Sequence, residues 1–175
     1  LEAEVDRLSG FLRTFHGFAA PQAIMAGPCR LGPVLEDVLF WTRKDARAQG
    51  IQFALHGITE LPLLWADAQQ LKQVLLNLLI NAIHAMPEGG RITVSASMEL
   101  GKARIDIADT GCGIAPATVD RIFEPFFTTR REGSGLGLAI VRKIVAQHGG
   151  DIAVSSEPGH GSCFTLYWPI DKNST

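Results

Sequence analysis

Apolar residues recur at Leu1, Val5, Leu8, Leu12, Phe15 and Ala19, in alternating steps of four and three. This heptad seam predicts a helix of about 29 Å that needs a partner. Phe11 and Phe18 widen the seam, which suits a helix bundle better than a two-stranded coil. Pro21, Gly27, Pro28, Gly32 and Pro33 then punctuate residues 20–33, where a linker or hinge is expected. From residue 34 the apolar period alternates between helical and two-residue. Helices are predicted near 34–49, 67–86, 116–122 and 136–148, and strands near 51–56, 91–99, 102–109, 151–156 and 161–168. Strand pairs joined by hairpins, with helices clustered between them, predict an α+β domain with its helices on one face of the sheet.

The helix expected at 67–86 is apolar around most of its circumference. Gln70, Gln73, Asn77, Asn81 and His84 nevertheless share an arc of about 80°. A carboxamide left unpaired in such surroundings costs about 1–3 kcal/mol, so something polar is expected to meet the stripe. Amide oxygens are neutral hard ligands, suited to a Mg²⁺ that already carries phosphate oxygens and water. A stripe facing solvent or a neighbouring strand would show the same pattern.

Two glycine-rich elements follow. The strand RIDIAD runs into DTGCGI, so Asp109 sits where a strand breaks, with Gly111 and Gly113 beyond it. Glycine allows close backbone approach, and a carboxylate only accepts, which matches an exocyclic amine such as adenine N6. GSGLGLAIVRKIV opens directly into an amphipathic helix, and its N–H groups could cradle a phosphate. The chain contains no GxxxxGK[ST] and no GxGxxG after a strand, which disfavours P-loop and Rossmann readings. Between the two lies IFEPFFTTRR, which couples aromatic anchors to hydroxyls and two cations in a long irregular stretch, the usual form of a lid.

Charge and composition remove other classes. A net charge of −2 and the absence of a long like-charge block argue against a nucleic-acid or anionic-membrane surface. VLLNLLINAI, the richest apolar run, is interrupted by Asn77 and Asn81, so no bilayer span is expected and no membrane contact by this segment. Cys29, Cys112 and Cys163 are odd in number and widely spaced, which reads as reduced thiols. The acidic, amphipathic opening LEAEVDRL is no signal peptide, and its leading Leu suggests a piece of a longer protein.

The ordered set NLLINA (77–82), DTGCGI (109–114), IFEPFFTT (122–129) and GSGLGLAI (133–140) resembles the N, G1, F and G2 boxes of sensor histidine kinase ATP-binding domains, within the GHKL superfamily. HGGDIAVSSEPGHGSCFTLYWP, residues 148–169, is similar to that family's closing hairpin. EVDRLSGFLRTF resembles the second dimerisation helix of nitrogen-regulation type sensor kinases. The resemblance implies the Bergerat fold, a two-layer α/β sandwich. It implies a dimerisation helix at 1–20, a linker at 21–33, an ATP-binding domain at 34–170 and a tail at 171–175.

It also implies ATP and Mg²⁺ as ligands. Asn81 would coordinate the metal, Asn77 would support it, and His84 would lie near the phosphates. Asp109 would bind the adenine amine, with Gly111, Gly113 and Ile114 shaping the pocket. Thr128, Thr129 and Arg130 would belong to the lid, and Gly133, Ser134, Gly135, Leu136, Gly137 and Leu138 would line the phosphates. Asn77 and Arg130 would take the catalytic part. Hydrolytic relatives place a water-activating Glu where Asn77 stands, and an amide cannot act as a general base, so transfer is favoured over hydrolysis. The implied partners are the phosphoacceptor helices of the same protein and a response regulator. The parent would be a homodimer, cytoplasmic in this part and soluble or membrane-anchored as a whole.

The chain departs from the family in one respect. None of His16, His56, His84, His148 or His160 is followed by the acidic residue of the family's acceptor motif, so the phosphoacceptor is expected elsewhere. The alternatives are a serine kinase of the anti-sigma-factor type, which the heptad seam disfavours, and a non-catalytic docking adapter, which the intact boxes disfavour.

Overall fold

The computed structural model describes residues 23–130 and 133–171. The heptad seam, His16, Arg131 and most of the C-terminal tail lie outside the described residues.

Eleven elements follow one another among the described residues: β1 (Gly27–Cys29), α1 (Leu31–Ala48), β2 (Ile51–His56), β3 (Leu64–Ala66), α2 (Ala68–His84), β4 (Gly90–Glu99), β5 (Lys102–Asp109), α3 (Pro116–Val119), α4 (Gly137–Gln147), β6 (Asp151–Glu157) and β7 (Gly161–Pro169). Five strands form one sheet in the order β2-β4-β5-β7-β6. β2 and β4 run parallel and every other neighbouring pair is antiparallel. The two-residue period of β5 decides which face is covered. Ala103, Ile105, Ile107 and Asp109 are buried, whereas Arg104 and Asp106 alternate with them on the open face, where Arg104 forms ion pairs with Asp106 and Glu99. Register carries this face into β7, where Trp168, Leu166, Phe164 and Ser162 stand opposite Ala103, Ile105, Ile107 and Asp109.

Helices α1, α2 and α4 close the apolar face. Leu35, Val38 and Leu39 of α1, Leu71, Val74, Leu75, Leu78 and Leu79 of α2, and Ile140, Val141 and Val145 of α4 join Ile92, Ile105 and Trp168 of the sheet in one core. The result is the expected two-layer α/β sandwich. Asp67 starts α2 by accepting the N–H groups of Gln69 and Gln70 at 3.0 and 3.2 Å. At the far corner His148 fastens α4 to that cap. Its Nε2 accepts the Asp67 N–H at 3.1 Å, its Nδ1 meets the Ile144 carbonyl at 2.9 Å, and its ring lies 4.8 Å from that of Trp168.

The chain departs from its sequence pattern near the start. Residues 27–33 were expected to end a linker, yet 27–29 form β1 and α1 begins at Leu31, three residues early. Pro33 sits in the first turn of α1, where a missing N–H breaks no helical bond. β1 pairs antiparallel with β3, Cys29 opposite Leu64, in a small second sheet beyond the main one. The short helix expected at 116–122 is trimmed to 116–119 and continues as turns.

Candidate functional site

Three contacts tie separate segments to the polar stripe of α2. At its C-terminal end, the Cys112 N–H donates to the Ala85 carbonyl at 3.0 Å, and a Cβ on Gly111 would stand 2.6 Å from that same oxygen. The turn after β5 is therefore pressed onto the residue one helical turn beyond Asn81. Nearby, Arg130 reaches back from the irregular stretch and its guanidinium lies 2.7 Å from His84 Nδ1. In mid-helix, Asn77 Oδ1 would lie 3.7 Å from a Cβ on Gly137, the first residue of α4. The N, G1 and G2 boxes, with Arg130 just past the F box, thus meet around one helix.

Asp109 ends β5 on the covered face. Its Oδ1 accepts two backbone N–H groups, from Gly111 at 2.8 Å and from Ser162 at 3.3 Å. Both bonds fall on one oxygen, so Oδ2 retains its accepting capacity. Burial pushes the carboxyl above its ordinary value, and the two N–H groups pull against that shift. The side chain is held rigidly with one acceptor to offer.

Polar satisfaction points to the same face. Asn77 Nδ2 is buried without a hydrogen-bond partner, as is Gln70 Oε1 two turns toward the start of α2. An orphaned amide on a mostly apolar helix is unfavourable unless a polar ligand meets it. Opposite Asn77, α4 begins at Gly137 with Leu136 as N-cap, and no side chain caps its first turn. Open N–H groups and the positive end of the helix dipole there favour an anion.

The His84 contact favours the neutral ring. Its Nδ1 faces a guanidinium, which only donates, so this nitrogen carries no proton. Partial burial and the Arg130 charge lower its pKa, and Asp45 opposes them. Thr128 closes a small turn by accepting the Arg130 N–H at 3.1 Å. Thr129 is exposed. Upstream, the Arg121 guanidinium lies over the Phe127 ring at 4.5 Å, and Arg142 of α4 lies 5.7 Å from that of Phe123.

Several expected site residues have protein-facing duties. Leu136 is fully buried and Leu138 packs against the core, so neither side chain is available to a ligand. Ser134 turns its hydroxyl to the Leu136 N–H at 3.3 Å. Gly133 lies against Thr128 and Gly135 against the backbone of Phe126, folding the two halves of the lid together. Gly113 has φ +68° and leaves no space for a Cβ against the Glu157 carbonyl. The Ile114 N–H donates to Ser156 Oγ at 2.8 Å. Ser156 and Ser162, which back the Asp109 turn, were not singled out in the sequence. The signal that could have found them is SSEPGHGS, in which hydroxyls flank the glycines of a hairpin returning beside Asp109.

The model of the histidine kinase-, DNA gyrase B- and HSP90-like ATPase family matches residues 66–172. The chain belongs to that family. Its relatives include sensor kinases: the sensor histidine kinase ZraS of Escherichia coli K12 is 40% identical over 168 residues, which is 96% of this chain and 36% of that kinase. The chain therefore spans about a third of that relative's length. Full-length ShkA in complex with AMPPNP superposes with TM-score 0.81 at 34% identity, over 98% of this chain and 36% of the other. Histidine kinase ThkA in complex with response regulator protein TrrA matches with TM-score 0.79 at 27% identity, over 99% of this chain and 50% of the other. The chain is a histidine-kinase-type ATPase domain with the two-layer sandwich of its structural neighbours. Among the described residues no helix is long and apolar enough to cross a membrane.

Proposed function

We propose that the chain holds Mg²⁺-ATP between α2, the Asp109 turn and the start of α4, and passes the γ-phosphoryl group to a histidine on dimerisation helices of the same parent protein. The observation that carries this reading is the convergence on α2: Gly111 at Ala85, Arg130 at His84 and Gly137 at Asn77.

Asp109 Oδ2 accepts the adenine amine, while the fixed Oδ1 keeps the carboxylate from turning away. The same carboxylate repels the O6 of guanine. Gly111, Gly113 and Ile114 form the floor beside it. The N–H groups of Gly137 and Leu138 and the α4 dipole meet the phosphates, with Thr128, Thr129 and Arg130 closing over them from the lid and the Gly133–Leu136 segment shaping the approach. Asn81 presents a neutral hard oxygen to Mg²⁺, and the unpartnered amide of Asn77 supports a polar occupant at the same place. The ion, when bound, neutralises phosphate charge. Asn77 cannot take a proton from water, so the site orients the triphosphate for an incoming nucleophile and does not activate its hydrolysis. Arg130 shifts from His84 to the transferred group when the triphosphate is in place.

In the same reading residues 1–20 belong to the second dimerisation helix, the linker ends before β1, and the ATP-binding domain runs from β1 through β7. The parent is a homodimeric, cytoplasmically facing kinase, anchored in a membrane or soluble, that relays phosphate to a response regulator. A thermal-shift titration tests the reading. ATP with Mg²⁺ is expected to stabilise the chain by about 2.7 kcal/mol at a hundredfold excess over Kd, with GTP or metal-free ATP giving much less. Equal shifts with ATP and GTP would overturn it.

A further inference from the structure

We propose that the Ser156 hydroxyl is a positioning group for base recognition: it fixes the direction of the Ser162 hydroxyl beside Asp109 and so makes that end of the site purely accepting. The inference rests on the adenine reading of Asp109 given above.

Three groups surround Ser156 Oγ on β6. The Ile114 N–H lies at 2.8 Å, the Gly161 carbonyl at 2.9 Å and Ser162 Oγ at 2.9 Å. A hydroxyl has one hydrogen and two lone pairs. The carbonyl can only accept and the amide can only donate, so Ser156 gives its hydrogen to Gly161 and receives that of Ile114. One lone pair is left, and it takes the hydrogen of Ser162. Only this arrangement satisfies all three contacts, and it commits the single hydrogen of Ser162 away from the site.

Ser162 stands directly across from Asp109 in the β5–β7 register, is buried, and donates its own N–H to Asp109 Oδ1 at 3.3 Å. With its hydroxyl hydrogen committed, Ser162 adds lone pairs on the sheet face it shares with Asp109, directly across from it in register. Neighbouring acceptors match a primary amine, or a water donating to them, and oppose a carbonyl. The hairpin is well placed to hold this arrangement, because the Gly159 N–H also donates to the Cys112 carbonyl at 2.8 Å. Removing the Ser156 hydroxyl frees Ser162 to rotate and donate. A base with a carbonyl where adenine has its amine is then no longer fully opposed.

The test measures binding of ATP and of inosine triphosphate, which carries that carbonyl, by calorimetry with Mg²⁺. The wild-type chain should favour ATP. Ser156→Ala should narrow the ATP-to-inosine-triphosphate ratio about fivefold or more, and Ser156→Thr, which keeps the hydroxyl, should hold it within about twofold. In a Ser162→Ala background, Ser156→Ala should move the ratio less than about twofold. Equal loss of both nucleotides with an unchanged ratio, or additive effects of the two serines, would overturn the inference and leave a merely structural hairpin contact. Should Ser156→Ala melt below the assay temperature, Ser162→Ala alone decides: a narrowed ratio supports the proposal and an unchanged one overturns it. A wild-type chain with no preference for ATP would overturn the Asp109 reading, and this inference with it.

Discussion

Asp109 is pulled in two directions. Burial opposes its charge, and the N–H groups of Gly111 and Ser162 favour it, with burial the larger effect. An isosteric Asn keeps an oxygen for both N–H groups and removes the buried charge. Asp109→Asn should therefore melt no lower than the wild-type chain, yet bind ATP more weakly by about 1–3 kcal/mol through loss of a charge-assisted bond. Calorimetry beside a melting curve separates the two effects, and a variant that loses stability but binds normally would refute the assignment. The pH dependence has a definite sign. A folded pKa above the unfolded one contributes stability that is full below the ordinary carboxylate value and lost as pH rises through the raised value. ATP affinity runs the other way and falls with acid over that same window, because the protonated carboxyl offers a weaker acceptor. His84 has the opposite sign. Its lowered pKa makes the Arg130 contact complete above the ordinary histidine value and lost as pH falls through the folded one.

At the scale of elements, glycines of similar appearance do different work. Gly113 and Gly137 each belong to a box legible in the sequence, but their neighbours come from distant parts of the chain. Gly113 needs its positive φ and abuts the Glu157 carbonyl, whereas a Cβ on Gly137 would make an ordinary 3.7 Å contact with Asn77 Oδ1. Gly113→Ala should lower stability by roughly 1–3 kcal/mol, through backbone strain and separation of the Asp109 turn from the hairpin. Gly137→Ala should leave the melting temperature unchanged or raise it, since alanine favours helix, while its methyl group weakens nucleotide binding at the start of α4. Denaturant titration and ATP titration of both variants read the contrast, and equal stability loss in the two would contradict it. No periodicity in DTGCGI distinguishes a glycine required by its own fold from one required by a ligand. That difference is set by Ala85 and Glu157, 26 residues before and 44 residues after Gly111 and Gly113 respectively.

At the scale of the molecule, the long periodic elements were legible because each carries several turns or alternations. β1 and β3 were not: three residues apiece cannot display a period, and their pairing joins Gly27 to Ala66 across the whole of α1 and β2. His148 was likewise invisible as a fastener, because its partner Asp67 lies 81 residues away. The four boxes were legible as a set, while the hydroxyl pair behind Asp109 emerged only from strand register. The convergence on α2 has a consequence for the intact chain. Everything proposed for the nucleotide lies within residues 77–162, but the acceptor motif is absent from all five histidines. Mg²⁺-ATP should then bind without appreciable self-labelling, and a separately supplied dimerisation bundle carrying the acceptor histidine should become acid-labile and phosphorylated in trans. Asn81→Ala should abolish that labelling by weakening Mg²⁺-dependent binding, and Asn81→Asp, which restores a hard oxygen, should recover part of it. Radiolabel transfer followed by acid treatment checks the wild-type chain and both variants. Strong labelling of His16 in the chain alone would show instead that this segment contains its own acceptor, despite the missing acidic residue after it.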